Sequence, residues 1–320
     1  MSEPVKIVLI APGTTTFPPK GWGACESIVW DYYENLLKRG YDVVIVNQAN
    51  PNRIIFETNS HSPSVVHIMY DDHIVVAPYI QCSKIYYTSH YAYITQPGFE
   101  EQQQWYFKNI FMKVIEHQAH ITINAISEEI KQIYIKHGFP ASKINVIHNG
   151  SREDLFRFSK TPAFPEKSLY IAKIEYRKAQ YKYQDLPNID FVGNLHNSPF
   201  DKTNTNYLGE WNKETLYENT TNYANLILLS DGEADPLVTK EALMAGLGLV
   251  LSECACANLD RNRPFITVIP NDKLEDLEYV NRAIRENRQR SIEYRESIRD
   301  YAIAKFAWSN VIDKYCEICL

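Results

Sequence analysis

The stretch Glu233-Ala-Asp-Pro-Leu-Val-Thr-Lys-Glu241, continued by Ala242-Leu-Met-Ala-Gly246, reads as a loop running into a helix. Asp235 is a natural N-cap, because a short carboxylate can accept a free amide of the first turn. Pro236 suits that turn, where its missing N–H would have no partner anyway. Leu237, Val238, Ala242, Leu243 and Ala245 give the helix an apolar side, and Gly246 ends it. Glu233 then lies just ahead of the helix and Glu241 within it. Free amides and the positive dipole end point between them, a setting that suits a sugar carried on a diphosphate. Read alone, the same spacing also fits a helix whose dipole is complemented by acidic residues.

Outward from this stretch the chain alternates apolar strands with amphipathic helices, the pattern of parallel α/β sheets. Residues 226–230 and 247–252 read as the flanking strands, with a helix over about 213–223 and further strands at 168–174, 189–192 and 265–269. Toward the start, strands are expected at 6–11, 41–47, 64–69, near 74–77, at 84–88, 121–125 and 143–148. Helices are expected over 24–39, 100–118 and 127–136, the last capped by Ser127. Residues 151–167 contain Pro162 and Pro165 without periodicity and read as a linker. Residues 285–300 mix charges of both signs, as a solvated helix face does. Residues 308–319 form a closing amphipathic helix with Val311, Ile312, Tyr315 and Ile318 on one side. The division expected is a first domain over 1–155, a second over 156–303, and a closing helix over 304–320.

The bulk numbers fit this plan. A chain of 320 residues with 45% hydrophobic content and 22 tyrosines can bury two cores. A net charge of -6 argues against a general nucleic-acid binder, whose affinity comes from neutralising phosphates. The first residues are polar and the run 7–11 is too short for a leader, so a soluble, cytoplasmic protein is expected. No apolar run approaches the ~20 residues that span a bilayer. Cys254, Cys256, Cys316 and Cys319 only half match zinc-ligand spacings, and reduced thiols are the simpler expectation.

Ligands of open α/β sheets bind beyond the carboxyl ends of the strands, and several polar residues fall there. Gly21 and Gly23 lie between the first strand and its helix, where a missing Cβ lets a phosphate approach the backbone. His90 follows the strand at 84–88. Lys173, Arg177 and Lys178 follow the first strand of the second domain and could clamp a diphosphate. Trp211 could stack on a base. Each has an ordinary alternative: a flexible loop, a surface histidine, a solvated charge run. Their common place at strand ends favours a site.

Taken in order, these segments resemble a GT-B glycosyltransferase of the retaining family 4 (group 1) type over nearly the whole chain. The segment from Ala11-Pro-Gly through Gly21-Trp-Gly23-Ala-Cys-Glu26, then Arg39-Gly-Tyr-Asp-Val-Val, is similar to that family's glycine loop, first helix and second strand. Tyr87-Thr-Ser-His90 resembles its strand-end histidine. Ile123-Asn-Ala-Ile-Ser127 and Ile144-Asn-Val-Ile-His-Asn149-Gly150 resemble its serine-capped helix and "PNG" segment, with His148 where proline is usual. Leu169-Tyr-Ile-Ala-Lys173 with Arg177-Lys178 is similar to the diphosphate clamp, with Ala-Lys in place of Gly-Arg. Glu233-x7-Glu241 resembles the paired-glutamate motif, with Ala234-Asp235-Pro236 in place of Gly-Phe-Gly. Phe306-Ala-Trp308 through Tyr315 resembles the closing helix.

The resemblance implies two Rossmann-like domains facing a central cleft, with the closing helix crossing back to the first. It implies transfer of a sugar, with retention, from a nucleotide-diphosphate sugar (UDP-, GDP- or ADP-linked) to a carbohydrate-type hydroxyl acceptor. Glu233, His90 and Lys178 would be catalytic. Gly23, Lys173, Arg177, Lys178, Asp235, Pro236, Leu237, Val238, Glu241 and Trp211 would hold the donor. Cationic side chains would do the work of a metal, so no metal or other cofactor is expected. Residues 105–114 could lie at a membrane interface, although a core-packing helix is the simpler reading because basic residues there are few. A GT-B sugar-nucleotide epimerase and a non-catalytic sugar-nucleotide binder are the alternatives.

Overall fold

The structure is a computed structural model that describes residues 5–21 and 23–320. Residues 1–4, on which the leader expectation rests, and Trp22, at the centre of the Gly-Trp-Gly stretch, lie outside the described residues. The chain forms two compact units, Met1–Asn149 with Trp308–Leu320, and Gly150–Ala307.

In the first unit β1 (Lys6–Ile10) feeds α1 (Ala24–Lys38) and β2 (Asp42–Val46), which pairs parallel to β1. Next come α2 (Pro51–Ser60), β3 (Val65–Ile68), a 3-10 helix over Asp71–Tyr79, and β4 (Ile85–Tyr87). The helical stretch that follows is broken into α3 (Phe99–Gln102), α4 (Gln104–Tyr106), a π segment (Phe107–Phe111) and α5 (Met112–Glu116). Then β5 (Thr122–Ala125), α6 (Glu128–Lys136) and β6 (Ile144–Val146) complete a parallel sheet ordered β2-β1-β3-β4-β5-β6. Near-continuous burial of β1 and β3 is what a sheet covered on both faces requires. Ser127 caps α6 as expected, its hydroxyl accepting the Ile130 amide at 3.2 Å.

Two expectations fail in this unit. Residues 74–77 are not a strand: Ile74, Val76 and Ala77 are buried on one turn while Val75 is exposed, and Pro78 lacks a ladder donor. The helix at 51–60 is absent from the sequence reading. Asn50 caps it, its side-chain oxygen accepting the Asn52 and Arg53 amides, and Pro51 opens it.

In the second unit β7 (Phe164–Ile171), α7 (Gln180–Tyr183), β8 (Ile189–Val192), α8 (Lys213–Asn219), β9 (Tyr223–Leu228), α9 (Leu237–Met244), β10 (Gly248–Ser252) and β11 (Ile266–Ile269) build a parallel sheet ordered β11-β10-β9-β7-β8. Strand β7 starts inside the expected linker. Its pairing with β8 begins only at Ser168, so Pro165 sits where the strand has one neighbour, beside a register shift against β9.

The charged stretch 285–300 is not simply a solvated face. Helices α10 (Leu277–Glu293) and α11 (Arg295–Phe306) bury Arg288 and Arg295. Arg295 donates to the carbonyls of Ser159, Tyr223 and Thr221, and Arg299 to those of Glu153, Phe156 and Met244. These arginines satisfy carbonyls of the 153–159 segment, which is therefore held on the second unit.

The closing helix α12 (Trp308–Cys319) belongs to the first unit and packs on α1. Trp308, Val311, Ile312, Tyr315 and Cys319 are buried, whereas Ile318, expected on that side, is 37% exposed. Tyr32 of α1 meets Trp308 and Tyr315 edge to face, and Arg39 pairs with Asp313 at 2.6 Å. Among the described residues no helix is long and apolar enough to cross a membrane.

Candidate functional site

Strands β7 and β9 lie side by side, and the loops leaving their carboxyl ends carry the polar residues of the second unit. Parallel strands deliver their exits to one edge, so Lys173–Lys178 and Ser230–Glu233 meet there although over 50 residues separate them. The Glu233 carboxylate is the centre. It receives the Lys178 ammonium and the Ser230 hydroxyl (2.7 Å) on Oε1, and Arg177 Nη1 stands 3.6 Å from Oε2. Burial alone would push this carboxyl up. The Lys178 and Arg177 charges outweigh it and hold the pKa below the usual carboxylate range.

Arg177 also donates to the Gly232 carbonyl at 2.7 Å and pairs with Glu175 at 2.9 Å. Lys173, 41% exposed, faces Glu175 at 3.7 Å rather than Glu233. Three cations thus meet two carboxylates, Glu175 and Glu233, and the exposed Asp231 of the second loop brings a third acidic charge, so the two loops are balanced in charge. Helix α9 begins at Leu237, four residues after Glu233, and its first-turn amides add a partial positive charge at that edge. The cluster can bind an anion and hold a partly charged atom beside it.

The start of α9 differs from expectation. The N-cap is Pro236 rather than Asp235. The Asp235 side chain instead takes the Lys240 ammonium and the Asn258 amide (3.0 Å). Both members of the Asp235–Lys240 pair are fully buried. A buried ammonium needs a carboxylate more than a helix turn needs a cap. Lys240 also donates to the Pro236 carbonyl at 3.1 Å and lies 5.6 Å from the centre of the Phe306 ring. Asp235 is therefore occupied inside the unit. Leu237, Val238 and Glu241 are half-buried on α9 and Pro236 is buried.

Trp211 is not gathered with this cluster. Its ring lies 6.4 Å from that of Tyr223, the residue that opens β9, whereas Glu233 follows the strand's far end.

In the first unit, Gly23 is the N-cap of α1 and a Cβ there would meet Glu26 Oε2 at 2.1 Å. The close approach that glycine permits is thus made by Glu26 of its own helix, whose Oε1 accepts from Thr14 at 2.9 Å. Gly21 has open space around it. His90 is half-buried three residues after β4. Nearby, Asp71 is half-buried and accepts from Tyr87 and from Tyr106 (3.1 Å), while Ser89 meets Tyr106 at 2.9 Å. Burial raises the Asp71 pKa against the pull of those hydroxyls. Among the described residues no group of three or more His, Cys, Asp or Glu side chains is placed to hold a metal. Cys254 and Cys256 belong to the second unit, Cys316 and Cys319 to the first.

Two residues with structural weight at the site are not singled out by the sequence reading, Lys240 and Tyr170. A charged residue among Val238, Ala242 and Leu243 is the signal of a buried partner for Lys240. Tyr170 has no sequence signal of its own, and the structure shows its hydroxyl bonded to two loops.

The sequence matches no protein-family model and no curated protein. Among solved structures the chain is similar to Anabaena HepE in complex with UDP and glucose, at 15% identity over 98% of both chains with a TM-score of 0.72. It is similar to the sucrose-phosphate synthase of Thermosynechococcus elongatus, at 14% identity over 98% of both chains and a TM-score of 0.69. It is also similar to WaaG, a glycosyltransferase involved in lipopolysaccharide biosynthesis, at 12% identity over 98% of this chain and 99% of that one, TM-score 0.67. At such identities the likeness establishes the fold, which is GT-B.

Proposed function

We propose that the protein is a retaining, metal-independent glycosyltransferase that moves a sugar from a nucleotide-diphosphate sugar to a hydroxyl acceptor. The observation that carries this reading is the convergence of Lys178 and Arg177 on Glu233 ahead of the α9 N-terminus. A diphosphate leaving group brings negative charge that the lysine and arginine side chains and the helix amides complement. In this reading Lys178, Arg177 and the α9 amides stabilise charge developing on the diphosphate. Glu233 holds hydroxyls of the transferred sugar and Glu241 the ribose. Lys173 is an outer contact. Because Asp235 is committed to Lys240 and Trp211 to Tyr223, neither is given a donor contact. The HepE structures hold UDP with glucose and UDP-glucose, which makes a UDP-sugar the first donor to assay.

The test is incubation with UDP-, GDP- and ADP-glucose, with and without sugar acceptors, measuring released nucleoside diphosphate. The reading expects release that rises with acceptor. Interconversion of the sugar without acceptor would instead identify an epimerase. Binding with neither reaction would identify a non-catalytic module.

A further inference from the structure

Besides the ion pairs to Glu233, the two loops that build the cluster, residues 172–180 and 229–233, are tied together at three places. The Asp231 amide donates to the Arg177 carbonyl at 2.9 Å, and the Arg177 guanidinium donates to the Gly232 carbonyl at 2.7 Å. The third tie is the hydroxyl of Tyr170, near the end of β7. It donates to the Lys178 carbonyl and accepts the Leu229 amide at 3.0 Å. Tyr170 is fully buried, and its ring packs 5.8 Å from that of Phe191. Among these ties it is the one made by a side chain that carries no charge and does not belong to the cluster.

We propose that Tyr170 is a positioning residue for sugar transfer, its hydroxyl clasping the Lys178 loop to the Glu233 loop before any donor arrives. The inference rests on the transferase reading above.

Two observations show why a clasp is needed. Ala179, directly after Lys178, has φ +56, a left-handed backbone that a residue with a Cβ adopts at a cost, so its loop must be held from outside. Leu229 immediately precedes Ser230, whose hydroxyl binds Glu233 and whose carbonyl accepts from Ser252 Oγ at 2.6 Å. The Leu229–Ser230 segment is thus fixed by β7 on one side and by the end of β10 on the other. Removing the phenol oxygen leaves the Lys178 carbonyl and the buried Leu229 amide without that partner, one on each loop. The charges of Lys178, Arg177 and Glu233 stay, but their spacing is freed. A loss of alignment of this kind lowers kcat more than donor affinity.

The experiment compares wild type, Tyr170→Phe and Glu233→Gln in UDP-, GDP- and ADP-glucose turnover, with UDP, GDP and ADP binding measured in parallel. Tyr170→Phe is expected to lower kcat by about 10- to 100-fold while donor KM stays within about 3-fold. Unchanged kcat, or kcat per folded molecule restored once lost stability is corrected for, would reduce Tyr170 to a strand stitch and overturn the proposal. Glu233→Gln separates the two failures. If it retains full turnover, the transferase site itself is misplaced; if it is inactive while Tyr170→Phe is normal, only the clasp is wrong. Hydrogen exchange on the wild-type protein supplies a readout that does not depend on a variant folding. The proposal expects the Leu229 amide to be protected without nucleotide. Rapid exchange there that slows only on addition of nucleoside diphosphate would contradict it.

Discussion

Two lysine–carboxylate pairs lie within a few residues of each other in the second unit, and they do opposite things. Lys178 and Glu233 keep 12% and 7% of their side chains exposed, and Arg177 and Ser230 crowd the same carboxylate. Lys240 and Asp235 expose nothing, match charge for charge, and are joined by the neutral Asn258 amide and Pro236 carbonyl. The first pair belongs to loops that gather several charges at a sheet edge. The second closes on itself and pins the start of α9. Burial and the number of charges gathered, rather than the residue types, separate a group poised for a ligand from one that is part of the scaffold.

The largest effect is expected at the closed pair. Lys240→Met leaves the Asp235 carboxylate buried without its cation and should cost about 3–5 kcal/mol in denaturant unfolding. The double variant Asp235→Leu with Lys240→Met should recover most of that loss, because the desolvation cost goes with the charges. A single variant within about 1 kcal/mol of wild type would erase the distinction between the pairs.

The open pair should answer in activity instead. Glu233→Gln keeps the side-chain shape and should cost about 10²- to 10³-fold in kcat while nucleoside diphosphate binding is kept or tightened, since a negative charge leaves the cluster. Equal losses in stability at both pairs would make them equivalent.

Acid sharpens the contrast with the first unit, where a buried neutral histidine takes the place of paired charge. His67 stacks on Tyr315 and meets Thr88 Oγ1 at 2.8 Å. Burial, with a smaller push from His90, lowers its pKa to about 3. The folded state therefore refuses a proton that the unfolded chain accepts. The stability it contributes is complete above about pH 6.5 and is lost as pH falls toward 3, at up to about 1.4 kcal/mol per pH unit. Denaturant unfolding of His67→Phe between pH 7 and 4 should show a slope shallower by that amount. The depressed Glu233 carboxyl has the same sign in a lower window: its contribution is present above the ordinary glutamate range and lost as pH falls through its folded value.

What could be read from the chain followed its periodicities. Strands such as Ile189–Val192, and α1, α6 and α12, announce themselves through apolar runs, a serine cap or an amphipathic stripe. The failures have local causes. Asn50-Pro51 is a strong helix start, but the moderate hydrophobicity behind it hid α2. Residues 74–77 are a short apolar run, which periodicity cannot assign. At the site, Lys178, Arg177 and Glu233 were legible because strand ends gather on one edge of a parallel sheet. The partners of Asp235, Trp211 and Gly23 were not. Whether a polar side chain faces a ligand or a buried neighbour depends on contacts far away in sequence, as Asn258 is for Asp235.

The central claim, that the Lys178–Arg177–Glu233 cluster receives a diphosphate, is tested most directly by thermal unfolding with UDP, GDP and ADP, comparing wild type with Lys178→Met. The account predicts that at least one nucleotide at about 100 times its Kd stabilises wild type by about 2.7 kcal/mol, a rise of several degrees in Tm, and that Lys178→Met loses most of that rise. No rise with any nucleotide, or the same rise in both proteins, would contradict it.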